Sequence, residues 1–203
     1  MHLLQNMIAD NVLSAIEIII CEIPYGITVE KVLGMVGAEE AQAVQVGGAS
    51  GMCLAPKDFG RSISFEDQPT GGSVIVIGEG RDLVWCMAQF VEFFADESCG
   101  WCAPCRIGTT ALKKMLDKVV EGKATRADLD ELQRVGTAMK MMSRCGLGQT
   151  AANPILTTMR NFPEAYEARV KPDAFVPRID FAKALSAGAA AAGRTAELEG
   201  RHA

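Results

Sequence analysis

Four of the seven cysteines in this 203-residue chain form a pattern that constrains its fold more than any other feature. Cys99, Cys102 and Cys105 are separated by two residues each, and Cys145 follows forty residues after the last of them. One loop can therefore place three thiols around a centre, while a distant part of the chain supplies the fourth. An odd and clustered set of cysteines suits metal or redox chemistry better than a disulfide framework.

The spacing predicts a 4Fe-4S cluster, because a cubane needs four thiolates around a compact set of irons. Gly100 allows a tight backbone turn inside the run, and Pro104 with Cys105 would open a helix. The free N–H groups and the positive end of that helix would then face an anionic site. Arg106 and Arg144 add positive charge, which favours the reduced cluster and raises its potential. One set of ligands predicts one cluster.

Three other interpretations compete for the same cysteines. Structural zinc also uses four cysteines, but usually as two separated Cys-x-x-Cys pairs. A disulfide framework or inert buried thiols would leave the repeated two-residue spacing unexplained. Radical chemistry at an open iron uses three ligands and a much larger barrel domain, for which this chain is too short.

The remaining cysteines and a glycine-rich segment are expected to have structural roles. Cys21, Cys53 and Cys86 lack any ligand spacing, and we expect them to pack as small hydrophobic side chains in or near the core. Residues 47–51 match neither the G-x-G-x-x-G pattern nor the Walker pattern, so we predict a turn there and no phosphate site.

Methionine and histidine add no candidate ligand. We expect Met139, Met141 and Met142 to fill gaps between packed helices. His2 and His202 lie at the chain ends, where a solvated side chain is the ordinary state, so neither is predicted to be a ligand or a base.

The first part of the chain predicts a small α+β unit. Strands are expected at Ile16–Ile20, at 43–46 and at 73–77, with a glycine-rich connection between the last two. A short helix is expected after the first strand, with Thr28 as its N-cap and Gly37 as its stop.

Past residue 80 the apolar residues recur at helical spacing, which predicts a four-helix arrangement. Each helix is defined by its apolar stripe and its boundary residues. The first has its stripe over 83–94, and the second is opened by Pro104 with Cys105 and ended by Gly122. The third runs from a capping box at Thr125 to Gly146, and the fourth starts with Asn153 as N-cap and breaks at Pro163. Past Lys171, the Pro, Ala and Gly content predicts a loose tail.

Charge and hydropathy exclude several classes of protein. The net charge of −5 and the pI near 5.1 provide no broad basic surface, so we expect no nucleic-acid partner. The most apolar stretch, 15–23, is interrupted by Glu17 and Glu22 and is too short to span a membrane. The first residues lack a basic region and a cleavage pattern, so we expect no secretory signal and a cytoplasmic location.

Two segments, Glu97–Gly108 (ESCGWCAPCRIG) and Ser143–Thr150 (SRCGLGQT), closely resemble one family. They are similar to the C-terminal region of the flavoprotein subunit of NADH dehydrogenases. That family includes the NADH-binding subunit of complex I and the diaphorase subunit of NAD-reducing hydrogenases and related formate dehydrogenases. The resemblance covers roughly residues 22–170, and the Cys-Gly-Leu-Gly-Gln-Thr ending favours the hydrogenase side.

The resemblance implies a division of the chain into three parts. Residues 1–80 would form a β-grasp domain of the soluble-ligand-binding type, 81–170 a helical 4Fe-4S domain, and 171–203 a flexible tail. It implies the same four ligands as the spacing does. Family members carry, ahead of this region, a larger domain for FMN and NAD(H) that nothing here matches. We therefore expect a fragment or a truncated product, with no flavin or nicotinamide contact assigned to any residue.

The implied function is electron transfer without acid–base catalysis by this chain, as part of an NAD(P)H:acceptor oxidoreductase. The cluster would take electrons one at a time from FMN and pass them to further iron–sulfur centres. The implied partners are a flavin- and NADH-binding domain and other iron–sulfur subunits of a hetero-oligomeric complex. The alternative is a zinc-stapled interaction module without redox activity. Small-ligand binding by the β-grasp half rests on fold analogy alone.

Overall fold

Three short strands and seven helices make up the part of the chain that the computed structural model describes, residues 18–171 and 190–191. The order along the chain is α1 (Val29–Met35), β1 (Ala41–Val46), β2 (Met52–Leu54), β3 (Val74–Gly78), α2 (Leu83–Asp96), α3 (Ala103–Val120), α4 (Arg126–Met142), α5 (Gly146–Thr150), α6 (Asn153–Asn161) and α7 (Pro163–Glu167). Single 3₁₀ turns at Gly48–Ser50 and Pro56–Asp58 flank β2. The predicted α+β class is confirmed.

Helix α1 begins and ends where its sequence predicts. The hydroxyl of Thr28 accepts a hydrogen bond from the backbone N–H of Lys31, which satisfies one of the free donors of the first turn. Val32 and Leu33 are buried against the sheet, and Gly37 adopts the left-handed conformation just beyond the helix.

The sheet is antiparallel throughout, with β1 in the centre and β2 and β3 on either side. Val44 faces Leu54 on one side and Val76 on the other. The segment 47–51 turns the chain from β1 into β2, as predicted, and Gly47 supplies a positive φ of 95°. Strand β2 was not predicted, because its three residues lie within a stretch dominated by turn residues.

The outer edge of β2 is covered by polar side chains of α6. The backbone N–H of Cys53 donates to Thr157 Oγ1 at 3.0 Å, and Asn161 Nδ2 donates to the Cys53 carbonyl at 2.8 Å. Asn153 Nδ2 donates to the carbonyl of Ser50 at 2.9 Å. These bonds replace the strand partner that an edge otherwise lacks and attach the sheet to the helices.

The same contacts correct the predicted role of Asn153. It is the first residue of α6, and Ala152 is the N-cap. The prediction was wrong because the Asn153 side chain bonds to the β1–β2 turn and to Lys140 instead of capping its own helix. Pro163 does interrupt the helix, as expected, and α7 begins at that residue.

The helices after residue 80 surround a core of buried, mostly apolar side chains from α2, α3, α4, α6 and α7. Thr125 and Asp128 form the predicted capping box at the start of α4, with both reciprocal hydrogen bonds present. Helix α4 ends at Met142, earlier than predicted, and Gly146 instead begins the short helix α5. Largest among the fully buried members of this core are Leu112, Leu116, Leu132, Met139, Ile155 and Tyr166.

Three expectations about apolar side chains are wrong in part. Residues 18–20 of the predicted first strand form no strand and are exposed, since no described strand pairs with them and β-branched residues alone do not create a ladder. Residues 16–17 lie outside the described residues. Met139 is buried as expected, but Met141 and Met142 are exposed because they lie on the outer face of the last turn of α4. Cys21 is exposed as well.

Some expectations concern parts of the chain that the structure does not describe. The predicted tail beyond Lys171 falls there, apart from the exposed helical residues 190–191, and so do His2 and His202.

None of the helices in the described ranges is both long and apolar enough to cross a membrane.

Candidate iron–sulfur site

Three of the four candidate cysteines lie at the N-terminal end of α3. Cys99 and Cys102 belong to the connection between α2 and α3, and Cys102 is the N-cap of α3. Cys105 is in the first turn of the helix, after Pro104, as the sequence predicts. Because the first N–H groups of a helix have no partner within it, this end of α3 suits an anionic group.

The loop that carries Cys99 is held by a short chain of hydrogen bonds around Gly100. Gly100 has a φ of +73°, a conformation that a side chain would strain. Its N–H donates to Ser98 Oγ at 3.3 Å, and its carbonyl accepts from Arg106 Nη1 at 3.1 Å. Ser98 Oγ lies 3.4 Å from the sulfur of Cys105, so the loop is also tied to the helix it precedes.

The fourth cysteine arrives from the connection between α4 and α5. Cys145 directly precedes α5, two residues after the buried Ser143. A Cβ added to Gly148 would lie 2.5 Å from Ser143 Oγ and 2.9 Å from the Cβ of Cys105. Only a glycine fits at that point, which means that the segment carrying Cys145 packs directly on Cys105.

A second contact between the two segments involves Arg144 and Cys102. The backbone N–H of Arg144, and after it that of Cys105, lowers the pKa of the Cys102 thiol below its ordinary value. Thiolates are the form that binds iron, so these donors favour the ligating state. The guanidinium of Arg144 lies 5.9 Å from the ring centroid of the exposed Trp101, within cation–π range.

The remaining cysteines have a different environment. Burial raises the pKa of the Cys53 thiol to about 12 and that of Cys86 to about 11. Both thiols therefore stay neutral, and Cys53 is buried as the sequence predicts. Neither belongs to the site.

The residues present fit an anionic cluster in their chemistry. Cys105 is buried, Cys102 is half-buried, and Cys99 and Cys145 are exposed, so the site opens to the surface on one side. The hydroxyl of Ser143 is buried beside Cys105 without a hydrogen-bond partner among the described residues. A buried hydroxyl of this kind ordinarily has an acceptor, and a cluster sulfur would supply one.

No three His, Cys, Asp or Glu side chains within the described ranges are grouped so that they could hold a single metal ion. A cubane differs from a single ion because each of its irons takes its own thiolate, so its ligands surround a volume. The structure thus brings the cysteine-bearing segments together, and the binding of all four sulfur atoms to one cluster belongs to the proposal below.

Sequence reasoning missed two hydroxyl groups at this site, those of Ser98 and Ser143. Both lie within two residues of a candidate ligand, but a serine beside a cysteine carries no signal of its own. Ser98 contacts Cys105 across seven residues, and Ser143 packs against Gly148, which also lies against the Cβ of Cys105. Only the packing of α3 against the segment before α5 reveals either contact.

Comparison with known proteins identifies the class of this region. Residues 85–169 match the family described as the iron–sulfur binding region of NADH-ubiquinone oxidoreductase-F. This match includes all four candidate cysteines. The helical part of the chain is accordingly an NADH-dehydrogenase-type 4Fe-4S domain, and such a domain supports an iron–sulfur cluster. The resemblance inferred from the two cysteine segments is confirmed.

Relatives of known name extend the similarity into the strand-containing part. The chain is 41% identical over 152 residues to the NAD-reducing hydrogenase HoxS subunit alpha of Cupriavidus necator, over 74% of this chain and 25% of that protein. It is 41% identical to the NADP-reducing hydrogenase subunit HndC of Solidesulfovibrio fructosivorans, over 73% of this chain and 33% of that protein. An NADH-quinone oxidoreductase subunit of Rickettsia rickettsii is 34% identical, over 70% of this chain and 36% of that protein.

A solved structure shows the same fold. The crystal structure of an NAD⁺-reducing [NiFe]-hydrogenase in its H₂-reduced state matches with a TM-score of 0.70 and 37% identity, over 86% of this chain and 31% of that one. The chain thus spans between a quarter and little more than a third of the length of the relatives and the structure it matches.

Proposed function

We propose that Cys99, Cys102, Cys105 and Cys145 bind one 4Fe-4S cluster and that the chain acts as a one-electron relay. A bound cluster would accept one electron at a time from a reduced flavin and pass it to an oxidised iron–sulfur centre. The observation that carries this proposal is the direct packing of the Cys145 segment on Cys105, where Gly148 leaves no room for a Cβ. That contact supports a common centre for ligands forty residues apart.

The residues around the proposed cluster hold it and tune it, and no acid–base catalyst is required. Several groups are placed to stabilise negative charge. They are the backbone N–H groups that face the Cys102 sulfur, the hydroxyls of Ser98 and Ser143, and the guanidinium of Arg144. The apolar faces of α3 and α4 give the site a rigid support on one side. Electron transfer depends on these features, on distance and on potential.

The names of the relatives support a place for the chain in a larger oxidoreductase. Those relatives are subunits of NAD- and NADP-reducing hydrogenases and of NADH-quinone oxidoreductases. We therefore propose that the chain works with a domain that binds FMN and NAD(H) and with other iron–sulfur subunits. The site is exposed at Cys99 and Cys145, which leaves a surface for the exchange of electrons.

The division of the chain and its location are parts of the same proposal. We propose that residues 1–80, with the β-grasp-like sheet, position the helical cluster domain of 81–170 against its neighbours. A cytoplasmic location is consistent with seven cysteines that are all free thiols, because a reducing compartment keeps thiols available for iron.

The test is the content of iron, acid-labile sulfide, zinc and flavin per chain after anaerobic purification. We expect about four irons and four sulfides per chain, without flavin. The Cys145→Ala variant should lose most of this iron and sulfide, whereas Cys21→Ala, which removes another exposed thiol, should retain them.

Three results would contradict the proposal. Zinc without sulfide would make the site a structural zinc module. Equal iron content in Cys145→Ala and in the unaltered chain would remove Cys145 from the ligand set. Reduction of a dye by NADH with this chain alone would show that it is more than a relay.

A further inference from the structure

We propose that Ser98 is a positioning residue that raises the reduction potential of the cluster by donating an O–H···S hydrogen bond to the Cys105 ligand. This inference rests on the proposed function, because it takes Cys105 as an iron ligand. It goes further because it assigns to the hydroxyl of Ser98 an effect on the reduction potential of the cluster.

The distance between the two atoms is that of a hydrogen bond to sulfur. Ser98 Oγ lies 3.4 Å from Cys105 Sγ, and in the free thiol either atom could be the donor. A cysteine that ligates iron has lost its proton and can only accept. Once iron is bound, the direction of the bond is therefore settled, and the hydroxyl of Ser98 must be the donor.

The surroundings of Ser98 orient its proton toward the sulfur. The oxygen of Ser98 already accepts a hydrogen bond from the N–H of Gly100 at 3.3 Å. One lone pair of the oxygen is thereby engaged, and the O–H is left to point elsewhere, with the sulfur of Cys105 in reach.

Arg106 stabilises this arrangement by holding the backbone carbonyl of Gly100. Its Nη1 donates to the carbonyl of Gly100 at 3.1 Å. The positive φ of Gly100 turns its backbone so that the N–H faces Ser98 while the carbonyl faces Arg106. Arg106 thus holds the backbone of Gly100 in place, and the N–H of Gly100, by donating to Ser98 Oγ, polarises the Ser98 hydroxyl as a donor toward the sulfur of Cys105.

A donor to a ligand sulfur stabilises the more negative, reduced cluster over the oxidised one. Removal of the hydroxyl should thus lower the midpoint potential. Since hydrogen bonds to charged groups are the stronger ones, we expect about a tenfold loss in the equilibrium constant for one-electron reduction, which is about 59 mV for a one-electron couple.

The experiment is an anaerobic redox titration of the cluster-loaded chain, followed by the EPR signal of the reduced cluster. Ser98→Ala should have the lower potential, and Ser98→Thr, which keeps a hydroxyl, should stay close to the unaltered chain. Ser50→Ala is the matched control, because Ser50 makes a local bond to the carbonyl of Gly47 in the β1–β2 turn, a different segment from those that carry the four candidate ligands.

A second pair of variants separates the hydroxyl from any effect of shape. Threonine and valine at position 98 have nearly the same volume, so a difference in potential between Ser98→Thr and Ser98→Val reports the hydroxyl alone. Equal potentials in this pair, or an unchanged potential in Ser98→Ala, would overturn the inference while leaving the cluster itself established. Absence of iron and sulfide in the unaltered chain would instead overturn the proposed function.

Discussion

At the scale of single residues, the site depends on close approach between side chains and backbone from different elements. Gly148 is the clearest case, because the space where its Cβ would lie is already occupied by Ser143 and Cys105. The side chain of Ser143 and the Cβ of Cys105 thus both lie against Gly148, where the two cysteine segments touch. The hydroxyl of Ser98 adds a contact with the sulfur of Cys105, and the guanidinium of Arg144 lies over the exposed ring of Trp101.

Substitution of Gly148 by alanine should force these segments apart. Overpacking of this kind typically costs 1–3 kcal/mol, and we expect a loss of that order, about 2 kcal/mol, together with a lower iron content. Gly146→Ala is the matched control, since Gly146 lies in the same short helix with open space around it. Thermal unfolding and iron analysis of the two variants measure the difference, and equal behaviour of the two would contradict close packing at Gly148.

At the scale of elements, helix boundaries decide where the cysteines are placed. Helix α3 begins immediately after Cys102, and α4 ends just before the segment that carries Cys145. The two helices pack side by side, so their boundaries bring residues 99–105 and 143–148 to the same end of the pair. The capping box at Thr125 sets the other end of α4.

Loss of this cap should weaken the domain without altering the site directly. Thr125→Ala removes the acceptor for the N–H of Asp128, and such changes cost about 1 kcal/mol. Thr137→Ala, on the exposed surface of the same helix, should be close to neutral, because its hydroxyl bonds only to a carbonyl that already has a helical partner. Urea unfolding of both variants at neutral pH gives the comparison; a larger loss in Thr137→Ala would contradict the assigned role of the cap.

At the scale of the whole molecule, the sheet and the helices are connected through the edge of β2. Cys53 is fully buried, and both of its backbone groups bond to side chains of α6. Apolar residues of the sheet and of α2 continue this contact; they are Ala43, Ile77, Leu83, Met87 and Phe90. The strand-containing part of the described chain is therefore supported by the helices that carry the site.

Thr157→Val tests this connection. The substitution keeps the shape of the side chain but leaves the N–H of Cys53 buried without an acceptor, which costs about 1–3 kcal/mol. The same exchange at Thr110, which is exposed on α3, should have a small effect. Unfolding midpoints and hydrogen exchange at the Cys53 amide would show the loss, and an unchanged exchange rate would mean that Thr157 does not protect the strand.

Much of this architecture could be predicted from local pattern. The caps at Thr28 and Thr125, the opening of α3 at Pro104, the turn at 47–51 and the positive φ of Gly100 all follow from residue chemistry over a few positions. Their determinants are local, so they can be recognised without knowledge of the fold.

The predictions that were wrong concern residues whose positions depend on partners elsewhere in the chain. Asn153 was expected to cap its own helix and instead bonds to Ser50, more than one hundred residues away in sequence. Residues 18–20, the described part of the first predicted strand, pair with no described strand, and Met141 lies on the outer face of α4. Propensity and periodicity describe an element in isolation, whereas pairing and burial depend on what it meets.

The candidate site likewise has features that local sequence reveals and features that depend on tertiary contacts. The four candidate ligands and the kind of centre they suit could be recognised from the sequence, because three of them share a two-residue spacing within one loop and the fourth lies in a second short segment typical of the same family. The packing of the Cys145 segment beside Cys105, the contact of Ser98 with the Cys105 thiol and the burial of Ser143 next to Gly148 are seen only in the tertiary structure. Those contacts are decided by how α3 packs against the end of α4, and side chains far apart in sequence become neighbours only when a shared core is buried.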